Sequence, residues 1–286
     1  MKKIAITSDV NAGLDYIGYD SKIPVLRSMI NFGDEHFIDG IDITADEFYD
    51  KVEKSSLIPS TSAPTLGEAI DMIENLIKEG YTDVIHFPIS FELSGTGKTV
   101  LNLTEQYKDK IKIHVFDTKT ACHMQAYLAL EAKRLVEEGK DVDYILDYVK
   151  KLRDNSNAYF LVDDLKYLIK NGRLTGAKGY LGLLLKIKPI LILNKKGQIT
   201  THLTVRTHKA AVTKMVDIVK NELKDARKVK IMLFHTKREK DAYNLKEELE
   251  KIYPNSCNVY IVTPAVGAHI GCGILGIGYF ILDNID

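Results

Sequence analysis

The sequence predicts an α/β fold in two domains. Residues 1–155 alternate short apolar runs with amphipathic helical patterns, the order that builds a parallel sheet with covering helices. The second half instead places two strands in succession, 190–193 and 199–205, joined at Lys195-Lys196-Gly197-Gln198. That pattern is a hairpin, and it makes the second sheet mixed. A length of 286 residues accommodates both units, each with its own core. The composition changes at Asp154-Asn155-Ser156-Asn157, which sets the boundary between domains 1–155 and 156–286.

Taken in order, Lys3 to Thr7 form the first strand, ending at Ser8-Asp9. Residues 10–57 are weakly patterned, with short strands read at 24–26 and 35–39 and a helix opening at Thr44, where Glu47 completes a Thr-x-x-Glu cap. Ile58-Pro59-Ser60-Thr61-Ser62-Ala63-Pro64-Thr65 is a hydroxyl-rich turn. The helix after it is unambiguous: Leu66, Ile70, Ile73 and Ile77 recur at helical spacing, Thr65 and Glu68 form a second capping box, and Gly80 ends it. Strand 83–87 leads into a helix over 95–107, then strand 111–118 and helices 121–138 and 141–153 split at Gly139.

In the second half, strand 158–162 precedes a short helix, 163–170, closed by Asn171-Gly172. A further apolar helix is expected at 181–185 before Pro189. After the hairpin come helix 208–224, strand 229–235, helix 238–252 and strand 258–263, giving a mixed sheet with helices on one face. Val259 to Leu282 lacks Asp, Glu, Lys and Arg, but Pro264, His269 and Gly267, Gly271, Gly273, Gly276 and Gly278 make it a weak membrane span. It is read as strand, glycine-rich turn and strand, buried in a soluble protein.

Lys and Arg total 39, as do Asp and Glu, which argues against a general nucleic-acid binder. Cys122, Cys257 and Cys272 are scattered and odd in number, so neither disulfides nor structural zinc is expected. The basic N-terminus is followed by too short an apolar run for a signal peptide, and a cytoplasmic protein without cofactor or metal is expected. His269 and Cys272 stand three apart; as a metal pair they lack further ligands, and as a catalytic pair they lack an orienting group.

The stretch from Pro88 to Thr99 organises the chain. Ser94, Gly95 and Thr96 fall between the end of a strand and the start of a helix, where open α/β sheets bind ligands. Two small hydroxyl residues around a glycine let a carboxylate or phosphate approach the backbone; the same residues also serve as an ordinary N-cap. Gly97-Lys98-Thr99 copies the end of a phosphate-binding P-loop, but Glu92 stands where that motif needs its other glycine. Glu92 likewise breaks the nucleophile elbow.

Several phrases, in order, resemble the DegV family of bacterial fatty-acid-binding proteins: Pro59-Ser60-Thr61-Ser62-Ala63-Pro64; Ile89-Ser90 with Leu93-Ser94-Gly95-Thr96; Tyr167-Leu168 with Gly172-Arg173-Leu174; Ile187-Lys188-Pro189-Ile190-Leu191; Val205-Arg206-Thr207; and Gly267-Ala268-His269-Ile270-Gly271 with Gly273. The resemblance implies a tunnel between the two domains that buries a long-chain fatty acid. Its carboxylate would be held by Thr61, Ser94 and His269, with Ser62, Gly95 and Thr96 in support. It also implies a non-catalytic carrier that presents the acid to a fatty-acid kinase, with Arg173 exposed as a docking residue. This chain departs from the family pattern at Phe91, where a serine is usual, at Gly97, where tyrosine is frequent, at Asn171 for glycine, and at Cys272 for proline. The competing reading is a hydrolase or acyltransferase using Ser94 or Cys272 with His269.

Overall fold

The computed structural model describes residues 3–176, 187–283 and 285; the helix expected at 181–185 lies outside them. The first half comprises β1 (Ile4–Asp9), β2 (Val25–Leu26), β3 (Met29–Phe32), β4 (Glu35–Ile38), α1 (Ala45–Lys54), β5 (Ser60–Ser62), α2 (Leu66–Lys78), β6 (Asp83–Phe87), α3 (Thr96–Leu101), α4 (Thr104–Tyr107), β7 (Lys112–Val115), α5 (Cys122–Glu137) and α6 (Val142–Asp154). The second comprises β8 (Ser156–Leu161), α7 (Lys166–Lys170), β9 (Lys188–Leu193), β10 (Ile199–Val205), α8 (His208–Glu222), β11 (Val229–His235), α9 (Glu239–Glu250), β12 (Cys257–Ile261), α10 (Pro264–Ile270) and β13 (Leu275–Ile281).

Strands β2-β1-β6-β7 form the expected parallel sheet. Every residue of β1 and β6 is buried, as a sheet covered on both faces requires. The mixed sheet runs β10-β9-β8-β13-β11-β12, with β11 and β12 its parallel pair. Three apolar layers separate and cover the two sheets. Ile73 and Leu76 of α2 and Val100 of α3 pack outside the parallel sheet. Met215, Val219, Leu245 and Leu249 of α8 and α9 cover the outer face of the mixed sheet. Between the sheets lie α5 and α6, where Leu128, Ala132 and Val149 join Phe87 on one side to Met232 and Phe280 on the other.

The middle layer corrects one expectation. Helices of the second half do cover only one face of the mixed sheet, but its other face is closed by helices of the first half. Those inner positions are apolar because they are buried twice over, and burial is where most of the folding free energy arises.

A third sheet, β4-β3-β5, is antiparallel. Its strand β3 carries little pattern, and β5 is the segment read as a turn, so Thr61 sits on a strand paired with Ile30. Both capping boxes form: the Glu47 carboxylate accepts from Thr44 N–H at 2.9 Å, and Glu68 from Thr65 N–H at 2.6 Å. The single helix expected over 95–107 is two short helices, α3 and α4. The glycine-rich turn is instead the helix α10, with His269 in its last turn and Gly271 at its C-cap. Among the described residues, no helix is long and apolar enough to cross a membrane.

Candidate functional site

In the parallel sheet, the chain leaves β1 toward β2 on one side, while β6 lies on the other. This reversal opens a crevice at the carboxyl ends of β1 and β6, the usual ligand position in such sheets. The segments that leave those ends, Val10–Ala12 and Pro88–Ser94, form its walls. The mixed sheet closes it from above, and α10 from the side.

The resulting cavity is lined by Thr61, Ser94 and His269, residues drawn from β5, the loop after β6 and α10. Thr61 Oγ1 and His269 Nε2 are 2.8 Å apart. The other ring nitrogen, Nδ1, is buried without a partner among the described residues. Ser94 Oγ lies 3.0 Å from Thr96 Oγ1 and accepts from the Thr96 N–H at 3.3 Å. Ser94 therefore does cap its own turn, yet its hydroxyl hydrogen is free to rotate toward the cavity. Thr96 is fully buried beneath it. Gly95 and Ser62 are exposed and outside the cavity wall, and Ser62 accepts from Asn31 Nδ2 at 3.1 Å. These two residues are not brought to the site.

Arg173 is also placed differently from expectation. It is half-buried, lines the same cavity, and donates from Nε to Leu93 O at 3.2 Å and from Nη1 to Asn171 O. Its sequence neighbourhood, a helix end followed by glycine, suggested exposure; the Leu93 carbonyl that helps hold it inward comes from the loop after β6. Sequence reasoning also missed Asn11 and Ser28, which line the cavity. Asn11 is oriented by Asp9, whose carboxylate accepts from its side chain at 2.9 Å, from Gln125 Nε2 at 2.9 Å and from Ile89 N–H at 2.9 Å. Asp9 was visible only as an acid at a strand end. The remaining lining is mostly apolar and includes Met124, Phe160, Ile199, Phe234 and Ile274.

The loop carrying Ser94 is pinned to the second half of the chain. Ser90 Oγ donates to Gly197 O at 2.8 Å, and Gln198 Nε2 donates to Glu92 at 2.8 Å. Gly197 has φ +85°, and a Cβ there would collide with Ser90 Oγ, so a side chain there meets both strain and a clash.

Burial, with the nearby Arg173 charge adding to it, lowers the His269 pKa from 6.5 to about 4. The imidazole is thus neutral near pH 7. Because the folded value lies below the unfolded one, the stability this residue contributes is complete above about pH 6.5 and is lost as pH falls toward 4. His269→Gln is expected to flatten the dependence of Tm on pH over that window, measured by circular dichroism.

The competing nucleophile arrangements do not assemble. Cys272 lies beyond the end of α10, lines a different groove, and donates its thiol toward Tyr49 O at 3.7 Å. Burial pushes that thiol up to about 11, away from the reactive thiolate. His269 is paired with Thr61 rather than Ser94, and no carboxylate orients it among the described residues. No cluster of His, Cys, Asp and Glu suited to a metal occurs among those residues.

Comparison with known proteins agrees with this architecture. The family model described as "Uncharacterised protein, DegV family" matches residues 3–282. A DegV domain-containing protein of Clostridium acetobutylicum is 34% identical over 284 residues, spanning 98% of this chain and 99% of its own. Protein DegV of Bacillus subtilis is 31% identical over 281 residues, 96% of this chain and 98% of its own. The chain belongs to the DegV family. The crystal structure of a fatty acid binding DegV family protein from Streptococcus agalactiae superposes with a TM-score of 0.89 at 29% identity, covering 98% of this chain and 99% of that one. That of DegV, a fatty acid binding protein from Bacillus subtilis, gives 0.88 at 30% identity, covering 98% and 100%.

Proposed function

We propose that the protein binds a long-chain fatty acid in this cavity, its carboxylate at Thr61, Ser94 and His269 and its chain along the apolar walls. The observation that carries the reading is the convergence of these three side chains, distant in sequence, on one largely apolar cavity. The fatty acids bound by the similar proteins of Streptococcus agalactiae and Bacillus subtilis support it.

The chemistry follows from the geometry. Neutral His269 with its hydrogen on Nε2 donates to Thr61 Oγ1, which frees the Thr61 hydrogen for a carboxylate oxygen. Ser94 accepts from its own turn and donates to the same carboxylate. Asn11 adds an amide, and Arg173 the permanent positive charge that a buried anion requires. We thus assign Arg173 to the head group rather than to docking. Each buried methylene contributes about 0.8 kcal/mol, so a long chain gains on the order of 10 kcal/mol gross, before the cost of ordering it. Affinity comes chiefly from the chain, and orientation from the polar end.

Such a protein supplies no nucleophile or base of its own. We propose that it serves as a carrier, presenting the carboxylate at the cavity mouth to a kinase that forms the acyl phosphate.

Mass spectrometry of the purified protein tests the reading. A fatty acid present under native conditions and absent under denaturing ones is expected; an acyl adduct on Ser94 or Cys272 would favour the hydrolase or acyltransferase instead. Ser94→Ala is expected to weaken binding by about 1–3 kcal/mol. Arg173→Ala should weaken it too. Intact affinity with lost acyl-phosphate formation would return Arg173 to a docking role.

A further inference from the structure

The apolar cavity shares a wall with a second, open groove. Four residues line both: Thr120, Met124, Ala158 and Leu193. Beyond them the groove carries charged and polar side chains, Lys119, Arg153, Asp154, Asn157 and Lys195, beside the apolar Ile192. The four shared residues thus stand between the cavity and the groove.

The four members of this wall differ in freedom to move. Thr120 is tied through its carbonyl, which accepts from Ser90 N–H at 2.9 Å. Ala158 has only a methyl group, fixed on β8 opposite Gly278. Leu193 ends β9, paired with Ile199. Met124 is unbranched, with three rotatable side-chain bonds and a polarisable thioether that fits irregular space. It is 1% exposed, so it seals the wall in this conformation.

What lies behind Met124 is a glycine. A Cβ on Gly278 would stand 2.6 Å from the Met124 sulfur and 2.9 Å from Phe234 Cε2. The absent side chain makes a recess in the mixed sheet in which the thioether and the Phe234 ring both rest.

Building on the fatty-acid reading, we propose that Met124 is the movable end wall of the acyl channel and, with Gly278 behind it, sets the longest chain the protein takes. A chain that fits ends against the thioether. A longer one swings Met124 aside and sends its terminal methylenes into the groove, where they lose the benefit of burial. Met124→Ala lengthens the closed channel by removing the wall's bulk. Gly278→Ala fills the recess, drives the thioether and Phe234 toward the channel and shortens it. Each methylene gained or lost changes affinity roughly fourfold.

The experiment offers the full-length protein, stripped of lipid, an equimolar set of straight-chain saturated fatty acids of graded length. Native mass spectrometry reads the bound fraction. The expected result is a maximum displaced to longer chains in Met124→Ala and to shorter chains in Gly278→Ala. Identical chain-length profiles in wild type and Met124→Ala overturn the proposal while leaving the fatty-acid reading intact; that comparison decides even where Gly278→Ala does not fold. No bound fatty acid in the wild type overturns both.

Discussion

Replacing Asp39 by alanine is expected to cost about 2–4 kcal/mol of stability and to weaken ligand binding as well. Asp39 is fully buried after β4. Its Oδ2 accepts from Thr263 Oγ1 at 2.6 Å and from Ala265 N–H at 2.7 Å, and its carbonyl accepts from Arg27 at 2.7 Å. Thr263 is the N-cap of α10 but makes no side-chain cap of its own. Asp39 supplies that cap from a segment more than two hundred residues away, with its charge at the positive end of the helix. Alanine leaves two buried donors without an acceptor, at about 1–3 kcal/mol each, and the Thr263 hydroxyl recovers part by rotating. The same helix holds His269 against Thr61, so a loosened α10 moves the proposed head-group site. Urea unfolding and fatty-acid titration check the two effects, and a loss below about 0.5 kcal/mol, the range of an ordinary surface change, would refute the clamp.

The carboxylate also has a pH signature. Burial, reinforced by Asp15, raises its pKa from 3.8 to about 6 against the hydrogen bonds from Thr263 and Ala265 and the Arg27 charge. A folded value above the unfolded one means that this contribution is complete below about pH 3.8 and is lost as pH rises through 6. Its slope is opposite to that of His269 and overlaps it between about pH 4 and 6. Asp39→Asn, which keeps one acceptor, is expected to remove the Asp39 slope while retaining most of the clamp.

What the sequence made legible depended on how local the determining interactions are. The helix at Leu66–Lys78 was evident because its period and its capping box lie within one short window. The strand Ser60–Ser62 was not: three hydroxyl residues carry no alternation, and their pairing to Asn31, Ile30 and Met29 is non-local. The helix α10 hid for a related reason. Gly267 within it is a poor helix former, but a Cβ there would stand 2.5 Å from the Tyr49 hydroxyl and 2.8 Å from the Phe48 ring, so packing against α1 dictates the residue. Thr61, Ser94 and His269 could be named because small hydroxyls and glycines mark close backbone approach, and because the resemblance aligned them. Asn11 and the inward turn of Arg173 could not, since a buried carboxylate determines the first and the distant Leu93 carbonyl, with that of nearby Asn171, the second.

The exchange at Phe91 and Gly97 leads to the other large expected effect. Gly97 lies in the first turn of α3 and is buried. A Cβ on it would stand 2.6 Å from Pro88 Cγ and 2.8 Å from Pro88 Cβ, with the Phe91 ring still closer. The ring from position 91 thus fills the space beside position 97, where the family pattern often has tyrosine. Gly97→Tyr alone drives a second ring into occupied space, and we expect it to cost about 3 kcal/mol, the upper end for overpacking. It should also shift the Ser94-Gly95-Thr96 turn and weaken ligand binding. In Phe91→Ser/Gly97→Tyr the ring conflict is gone but Pro88 remains, so part of the loss returns. A double-mutant cycle by urea unfolding is expected to give a favourable coupling of about 1 kcal/mol or more, within the range for residues in direct contact. Additive effects of the two substitutions would mean that Phe91 and Gly97 changed independently and that the ring does not occupy the tyrosine's place.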